Sequence, residues 1–139
     1  MSESQALQGV RVLDLTRVLA GPFCGQILGD LGAEVTHIER PTVGDDGRIY
    51  GFSSLKDSDG NLTGESAFYL SANRNKKSLT VNIAKPEGQD LIRRLAADSD
   101  VLIENYKVGN LKRYHLDYES LKEVNPKLIY CSITGYGQT

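Results

Sequence analysis

Short apolar runs alternate with amphipathic segments along most of the chain. Runs rich in aliphatic and β-branched residues predict five strands, at 10–15, 34–39, 78–83, 100–104 and 128–133. Apolar residues recur at helical spacing between most of these runs. Strands that alternate with helices predict an α/β fold, here a Rossmann-like, doubly wound and mostly parallel sheet with helices on both faces.

Two prolines mark predicted helix starts. Pro22 follows the first strand at a position suited to a first helical residue, and Gly32 is a natural C-terminal cap. The residues that recur at helical spacing between them are Phe23, Ile27, Leu28 and Leu31. Pro86 starts a second helix, whose apolar face consists of Leu91, Ile92, Leu95 and Ala96. Shorter helices are predicted near 67–72 and over 118–124.

The segment 41–66 has a different character. It is rich in Gly, Asp and Ser, and it has no clear helical or strand periodicity. Loops of this length are commonly functional or disordered. We therefore predict a long loop and assign it no regular structure.

Composition narrows the function classes. The 139 residues carry a net charge of −2, which argues against a general nucleic-acid binder. No apolar run approaches the ~18 residues of a membrane span, and the first residues lack the pattern of a signal peptide. Cys24 falls in a predicted helix and Cys131 in a predicted central strand. Both are predicted to be small buried thiols in a reducing, cytoplasmic compartment; a disulfide or a reactive thiol is the alternative. His37 and His115 have no metal-ligand spacing, so no metal is assigned.

Candidate chemistry lies where predicted strands end, because ligands of open α/β sheets bind beyond the carboxyl ends of the strands. The turn 16–21 lacks the G-x-G-x-x-G spacing of nicotinamide and flavin sites. Gly21-Pro22 still exposes backbone donors near a helix start, a weaker cue for anion binding. At the second strand end, Glu39 is suited to a ribose hydroxyl and Arg40 to a phosphate. A surface ion pair is the alternative there.

Two further polar runs flank predicted strands. Asn73–Lys77 is cationic and either faces an anionic ligand or forms a solvated turn. Glu104–Lys107, followed by Lys112 and Arg113, combines an amide, an aromatic ring and cations that suit a nucleotide; the alternative is a structural turn. No nucleophile–base pair emerges, and Asp14, inside a strand, is interpreted as structural.

Six stretches taken in order resemble the amino-terminal segment of the family III CoA-transferases, which include formyl-CoA transferase and carnitine CoA-transferase-like enzymes. These stretches are Leu13–Pro22, Leu31–Arg40, Asn73–Ser78, Lys85–Gly88, Asp100–Tyr106 and Gly135–Gln138. The Asn-Arg-Asn-Lys-Lys-Ser and Glu-Asn-Tyr versions resemble dicarboxylate-type transferases more than α-methylacyl-CoA racemases.

The resemblance implies that residues 1–139 are the amino-terminal, CoA-binding, Rossmann-like half-domain of a larger enzyme. The turn at Val18, Leu19 and Ala20 would border CoA, and Arg40 would contact its adenosine end. Val81, Asn82, Ile83 and Ala84 would line the nucleotide pocket, Asn105, Tyr106 and Lys107 would lie along it, and Arg113 would meet phosphate. Some members have lysine where this chain has Ala84; here Lys85 comes one residue later, so the resemblance does not carry the phosphate contact of that lysine over to this strand.

The resemblance also implies the reaction. CoA would move from an acyl-CoA to a carboxylic acid, with CoA and acyl-CoA as substrates and without a permanently bound cofactor. An aspartate beyond Thr139 would be the nucleophile, so that residues 1–139 contain no catalytic residue and are inactive alone. The full-length protein would be an interlocked homodimer, with no nucleic-acid or membrane partner, and the segment alone would expose apolar surface.

Three alternatives remain open at this point. An acyl-CoA racemase of the same family is the nearest. A stand-alone nucleotide-binding module without chemistry would be a compact monomer with affinity for CoA or ADP. A nicotinamide oxidoreductase is the third, although the glycine fingerprint that it requires is missing.

Overall fold

The computed structural model describes residues 5–50 and 54–138. In chain order its elements are β1 (Arg11–Asp14), α1 (Ala20–Asp30), β2 (Glu34–Glu39), β3 (Ser54–Lys56), β4 (Leu62–Ser66), α2 (Ala67–Asn73), β5 (Lys76–Thr80), α3 (Pro86–Ala97), β6 (Val101–Glu104), α4 (Tyr118–Val124) and β7 (Ile129–Ser132). Single 3₁₀ turns lie at Asp46–Arg48 and Lys112–Tyr114.

Five strands form one parallel sheet in the order β5-β2-β1-β6-β7. The chain first builds outward from β1 through β2 to β5, and then returns to the other side of β1 with β6 and β7. The order therefore reverses between β1 and β6, which makes their carboxyl ends a topological switch point. The predicted α/β, doubly wound sheet is confirmed.

Helices cover both faces of the sheet because alternate residues of each strand point to opposite faces. Leu13 and Leu102 belong to one buried cluster, which includes Ile92 of α3 and Leu121 of α4. The other face carries a smaller cluster, in which Leu28 of α1 packs against Val12, Val35 and Ile103. The two layers position the strand ends that form the site.

Three of the apolar residues at helical spacing, Phe23, Ile27 and Leu31, do not form the buried face of α1. These side chains are 50%, 45% and 46% exposed. The buried face of α1 instead carries glycines at every fourth position, Gly21, Gly25 and Gly29. A Cβ at position 25 would lie 2.7 Å from Oδ2 of Asp14, so the helix lies too close to the sheet for larger residues.

Element boundaries differ from the predictions in three places. α1 begins at Ala20, two residues before Pro22, and β5 spans Lys76–Thr80 rather than 78–83. The segment 41–66, predicted as a loop, contains the 3₁₀ turn and an antiparallel hairpin of β3 and β4. Exposed hairpin strands such as β4 bury few side chains, which explains the absence of a clear apolar alternation. The helix α3 begins at Pro86 as predicted, and α4 spans the predicted residues 118–124.

The two cysteines differ from the prediction as well. Both are free and only half-buried, and Cys131 lies in β7, at the edge of the described sheet, rather than in a central strand. Burial raises the pKa of the Cys24 thiol, and the neighbouring Cys131 raises it further. Among the helices of residues 5–50 and 54–138, none is both long and apolar enough to cross a bilayer.

Candidate functional site

An open cavity of about 620 Å³ lies at the carboxyl edge of the parallel sheet. Its walls come from the chain segments that follow β1, β2, β5 and β6, the four strands around the topological switch point. The lining residues are Arg17, Ile38, Glu39, Arg40, Pro41, Thr42, Val43, Gly44, Asp45, Val81, Asn82, Ile83, Ala84, Tyr106, Asn110, Arg113 and Tyr114. This volume lies in the usual range for small-molecule sites, ~300–1,000 Å³.

Seven of the site residues expected from sequence line this cavity: Arg40, Val81, Asn82, Ile83, Ala84, Tyr106 and Arg113. Five do not: Val18, Leu19, Ala20, Asn105 and Lys107. Asn105 and Lys107 line a neighbouring cavity with Tyr136. Lys85 precedes the first residue of α3, is exposed, and is not part of the main cavity wall.

The main cavity has a cationic wall that includes Arg17, a residue not expected from sequence. The amide of Asn105 holds the Arg17 backbone from both sides, accepting from its N–H (2.9 Å) and donating to its carbonyl (2.8 Å). The guanidinium carbon of Arg17 lies 4.7 Å from the centre of the Tyr106 ring. An arginine three residues beyond the end of β1, at the switch point, is the signal that would have identified it.

Arg113 adds a third guanidinium to the cavity. Its guanidinium carbon lies 4.6 Å from the ring centre of Tyr114, which also lines the cavity. Burial raises the pKa of the Tyr106 hydroxyl above its ordinary value, so this ring is neutral at physiological pH. Aromatic faces and guanidinium groups side by side suit a ligand that combines a ring system with phosphates.

Glu39 at the end of β2 is not available to hold a ribose hydroxyl, which corrects one expectation from sequence. Its carboxylate is buried and accepts hydrogen bonds from its own neighbours: Arg48 Nε (2.7 Å), Arg48 Nη2 (2.8 Å), Tyr69 Oη (3.0 Å), Ser78 Oγ (2.6 Å) and the Asp45 backbone N–H (2.8 Å). Burial by itself raises the pKa of Glu39, but the Arg48 guanidinium and the other donors hold it well below its usual range. Glu39 thus anchors the loop that forms one cavity wall.

A buried ionic network lies beneath the cavity floor. Asp14 Oδ2 accepts from Lys76 Nζ at 2.9 Å and lies 3.1 Å from Nδ1 of His37. The other ring nitrogen of His37, Nε2, lies 3.4 Å from Oδ2 of Asp45. Two carboxylates and two cations therefore neutralise one another, as buried charges require.

The charges in this network shift one another's protonation. Burial lowers the pKa of His37, but the flanking Asp14 and Asp45 carboxylates outweigh it and raise that pKa to about 9. Burial raises the pKa of Asp14, but His37, Lys76 and Thr16 bring it down to about 2. His37 is therefore an imidazolium at neutral pH, and the structural interpretation of Asp14 agrees with its contacts.

Asp45 joins this network to the turn after β1. Its carboxylate accepts the backbone N–H of Val18 (3.1 Å to Oδ1), while its own N–H donates to Glu39. Val18 has a φ of 73°, in the left-handed region that β-branched residues rarely adopt. Strained turns of this kind persist where surrounding contacts hold them, and here Asp45 supplies the contact.

The cationic run 73–77 does not face the cavity, so the ligand-facing interpretation of it is wrong. Arg74 pairs with Asp30 at the end of α1 (2.5 Å), Lys77 pairs with Glu34 (2.8 Å), and Lys76 is buried on Asp14. β5 begins inside this run, at Lys76, and in a parallel sheet the start of a strand lies at the edge opposite the ligand site.

Comparison with known proteins assigns this architecture to a family. The family model described as CoA-transferase family III matches residues 7–139. The chain is 53% identical over 139 residues to human succinyl-CoA:glutarate CoA-transferase, covering 100% of this chain and 30% of that protein. It is 52% identical over 134 residues to succinate–glutarate CoA-transferase of Agrobacterium fabrum, covering 96% of this chain and 33% of that protein.

The fold is shared with a crystal structure of a CAIB/BAIF family protein from Brucella suis. The two superpose with a TM-score of 0.90 and are 48% identical, over 99% of this chain and 35% of that one. The chain thus spans about a third of the length of the proteins that it matches.

Proposed function

This chain belongs to CoA-transferase family III, and on that premise we propose that residues 1–139 form the CoA-binding part of an enzyme that transfers CoA from an acyl-CoA to a carboxylic acid. One observation carries the proposal: the cavity at the switch point is lined by Arg17, Arg40 and Arg113 together with Tyr106 and Tyr114. CoA offers an adenine ring and several phosphates, which match aromatic and guanidinium groups.

We further propose that the substrates are dicarboxylic acids and their CoA thioesters. Support comes from the names of the two relatives at 53% and 52% identity, both of which include glutarate. These names also favour transfer over racemisation within the family. No permanently bound cofactor is part of the proposal, since CoA enters and leaves as a substrate.

The reactive carboxylate is proposed to be an aspartate outside these 139 residues. The carboxylates that line the described cavity are already committed to internal partners: Glu39 to Arg48, and Asp45 to His37. A carboxylate whose oxygens accept several hydrogen bonds inside a buried ion pair is a poor nucleophile. Residues 1–139 are therefore expected to bind CoA without transferring it.

A homodimer and a cytoplasmic location complete the proposal. The exposed apolar stripe on the outer face of α1, formed by Leu19, Phe23, Ile27 and Leu31, supports burial of this face by another protein segment. The free cysteines support a reducing compartment. Light scattering after size exclusion measures the oligomeric state, and a monomeric full-length protein would contradict the dimer.

Binding is tested by calorimetric titration of CoA into the wild type and into Arg40→Glu and Arg113→Glu. Each charge reversal is expected to weaken binding by about tenfold or more, because each removes a charge-assisted contact to phosphate. Arg94→Glu is the matched control, since Arg94 is exposed on α3 and lies outside the cavity lining. Unchanged affinity in both cavity variants would overturn the assigned pocket.

Transfer is tested separately, as formation of glutaryl-CoA from succinyl-CoA and glutarate by the full-length protein. The chain of 139 residues is expected to bind CoA and to form no glutaryl-CoA. A full-length protein that binds CoA, transfers it to no dicarboxylate and instead inverts the α-carbon of a branched acyl-CoA would favour the racemase.

A further inference from the structure

We propose that Arg17 and Arg40 form a paired anion site at the cavity, and that the Asp46 carboxylate occupies this site until a phosphate group of the ligand replaces it. The inference rests on the proposed function, because the ligand is taken to carry phosphate groups. Asp46 lies between the two arginines: its Oδ2 is 3.4 Å from Arg17 Nη1, and its Oδ1 contacts Arg40 Nη2. Both arginines line the cavity.

Arg17 is held in place with donor capacity to spare. Asn105 fixes its backbone, and the Tyr106 ring lies against its guanidinium. Its Nε is buried and has no hydrogen-bond partner among the described residues. A guanidinium has five N–H donors, and the one hydrogen bond that the Arg17 side chain makes to a described residue, Asp46, is long at 3.4 Å. The Arg17 guanidinium is therefore positioned to donate more hydrogen bonds than Asp46 accepts.

The charges around the pair favour an incoming anion. Glu39 is neutralised by Arg48, and Asp45 lies against His37, so neither competes for the two arginines. Asp46 is thus the carboxylate that faces them, with one negative charge between two guanidinium groups. A phosphate with two charges and three terminal oxygens would pair with both guanidinium groups more completely.

The Asp46 side chain can turn away from the two arginines without disrupting the 3₁₀ turn that begins at this residue. The 3₁₀ turn is held by other groups: Asp45 accepts the Gly47 N–H, and Arg48 is tied to Glu39. The hydrogen bonds of the Asp46 side chain in the described structure go to Arg17 and Arg40. A change in its side-chain torsions would therefore break two partly exposed ion pairs and no structural contact.

Removing the charge of Asp46 tests the inference. Asp46→Asn is expected to tighten CoA binding about twofold to fivefold, the range of a partly exposed ion pair, and to leave binding of phosphate-free pantetheine unchanged. The gain should shrink at high salt, because the interactions are partly exposed. It should be smaller when Arg17→Ala is added, because Asp46 then neutralises only one of the two guanidinium groups, that of Arg40. Asp98→Asn, exposed after α3 and outside the cavity lining, is the control.

The outcomes separate this inference from the proposed function. Wild-type protein that binds no CoA would overturn the proposed function. Wild-type binding with an Asp46→Asn variant that binds CoA equally or more weakly would overturn the displacement inference alone. Weaker binding would make Asp46 a group that positions the arginines. Thermal unfolding of each variant confirms that it is folded before binding is compared.

Discussion

His37 and Asp14 are cross-strand partners on β2 and β1, and Nδ1 of the imidazole lies 3.1 Å from Oδ2 of the carboxylate with both side chains buried. Asp45 and Lys76 complete the group. The pair therefore places a compensated charge cluster in the middle of a parallel sheet, directly below the cavity. Its charge balance makes stability depend on pH in a defined direction.

The first prediction concerns alkaline pH. The pKa of His37 is raised from 6.5 to about 9 in the folded protein, so its stabilising contribution is fully present below about 6.5 and is lost as the pH rises through about 9. The pKa of Asp14 is lowered to about 2, so its contribution is present above 3.8 and is lost as the pH falls through about 2. The cluster should stabilise most between about pH 4 and pH 6.5.

Urea unfolding at about pH 6 and about pH 9 measures this effect in the wild type and in His37→Gln. The variant is expected to be less stable at the lower pH by about 3 kcal/mol, because the two carboxylates lose their shared cation. Its free energy of unfolding should also fall less between the two pH values. An equal fall in both proteins would show that His37 does not carry the charge assigned to it.

The second prediction concerns α1, whose buried face carries glycines and whose exposed face carries large apolar residues. Helix propensity alone favours Gly25→Ala by about 1 kcal/mol, but the new Cβ would lie 2.7 Å from Asp14 Oδ2 and 3.2 Å from Lys76 Nζ. We expect Gly25→Ala to destabilise the protein by about 1–3 kcal/mol through overpacking. Ile27→Ala, on the exposed face of the same helix, should cost less than about 1 kcal/mol.

Chemical denaturation of both variants gives the comparison directly. The expected order is the reverse of that in an ordinary amphipathic helix, where truncating the isoleucine costs more. A larger loss for Ile27→Ala than for Gly25→Ala would place the buried face of α1 on the other side of the helix.

The third prediction separates anchoring from binding in the loop after β2. Arg48 makes two hydrogen bonds to Glu39 and one to Glu65, and its guanidinium carbon lies 3.8 Å from the Tyr69 ring centre. Arg48→Ala leaves the buried Glu39 carboxylate without its main cation and should cost about 3 kcal/mol. Arg40→Ala, at a side chain 47% exposed, should change stability by less than about 0.5 kcal/mol.

CoA binding should weaken in both variants, for different reasons. Arg40→Ala removes a proposed phosphate contact, whereas Arg48→Ala loosens the loop that forms a cavity wall. Denaturation and calorimetry on the same samples distinguish the two effects. If Arg40→Ala lowers stability as much as Arg48→Ala does, then Arg40 also anchors the loop, and the assignment of anchoring to Arg48 and ligand binding to Arg40 is wrong.

The sequence predicted the five parallel strands because most of them are short runs rich in aliphatic and β-branched residues, which is a local signal. The exception is β5, whose first residues are polar and which was placed two residues too late. The same logic found α3, where Pro86 and the spacing of Ile92 and Ala96 agree with the structure. The spacing of apolar residues predicted α1 but did not reveal its buried face, since glycines give no apolar signal even when they form that face. Of the four apolar residues at helical spacing, three, Phe23, Ile27 and Leu31, are half exposed.

The site was less predictable than the fold because its contacts are long-range. Asp14 and Lys76 are 62 positions apart, and Asn105 and Arg17 are 88 apart. A single sequence gives the residue types at strand ends but not which of them neutralise one another. Glu39 and Arg40 are adjacent in sequence, yet one is committed to Arg48 and the other faces the cavity.

The last prediction concerns the wall formed by the segment after β5. Gly88, in the first turn of α3, lies so close to this segment that a Cβ on it would be 2.0 Å from the carbonyl oxygen of Asn82 and 3.3 Å from the Ile83 nitrogen. Neither contact is with a flexible side chain, so the backbone of the cavity wall must move. Gly88→Ala should therefore destabilise the protein by about 1–3 kcal/mol and weaken CoA binding together with it.

Gly135→Ala is the matched control, because a Cβ there would meet no atom within 4 Å and the residue does not require a positive φ. Both substitutions add one methyl group, so a difference between them reports the crowding at Asn82. If Gly88→Ala lowers stability but leaves CoA affinity at the wild-type value, the 82–83 backbone does not contact the ligand. Ile83 and Ala84 would then line a part of the cavity that CoA does not contact, and CoA would bind against the opposite wall.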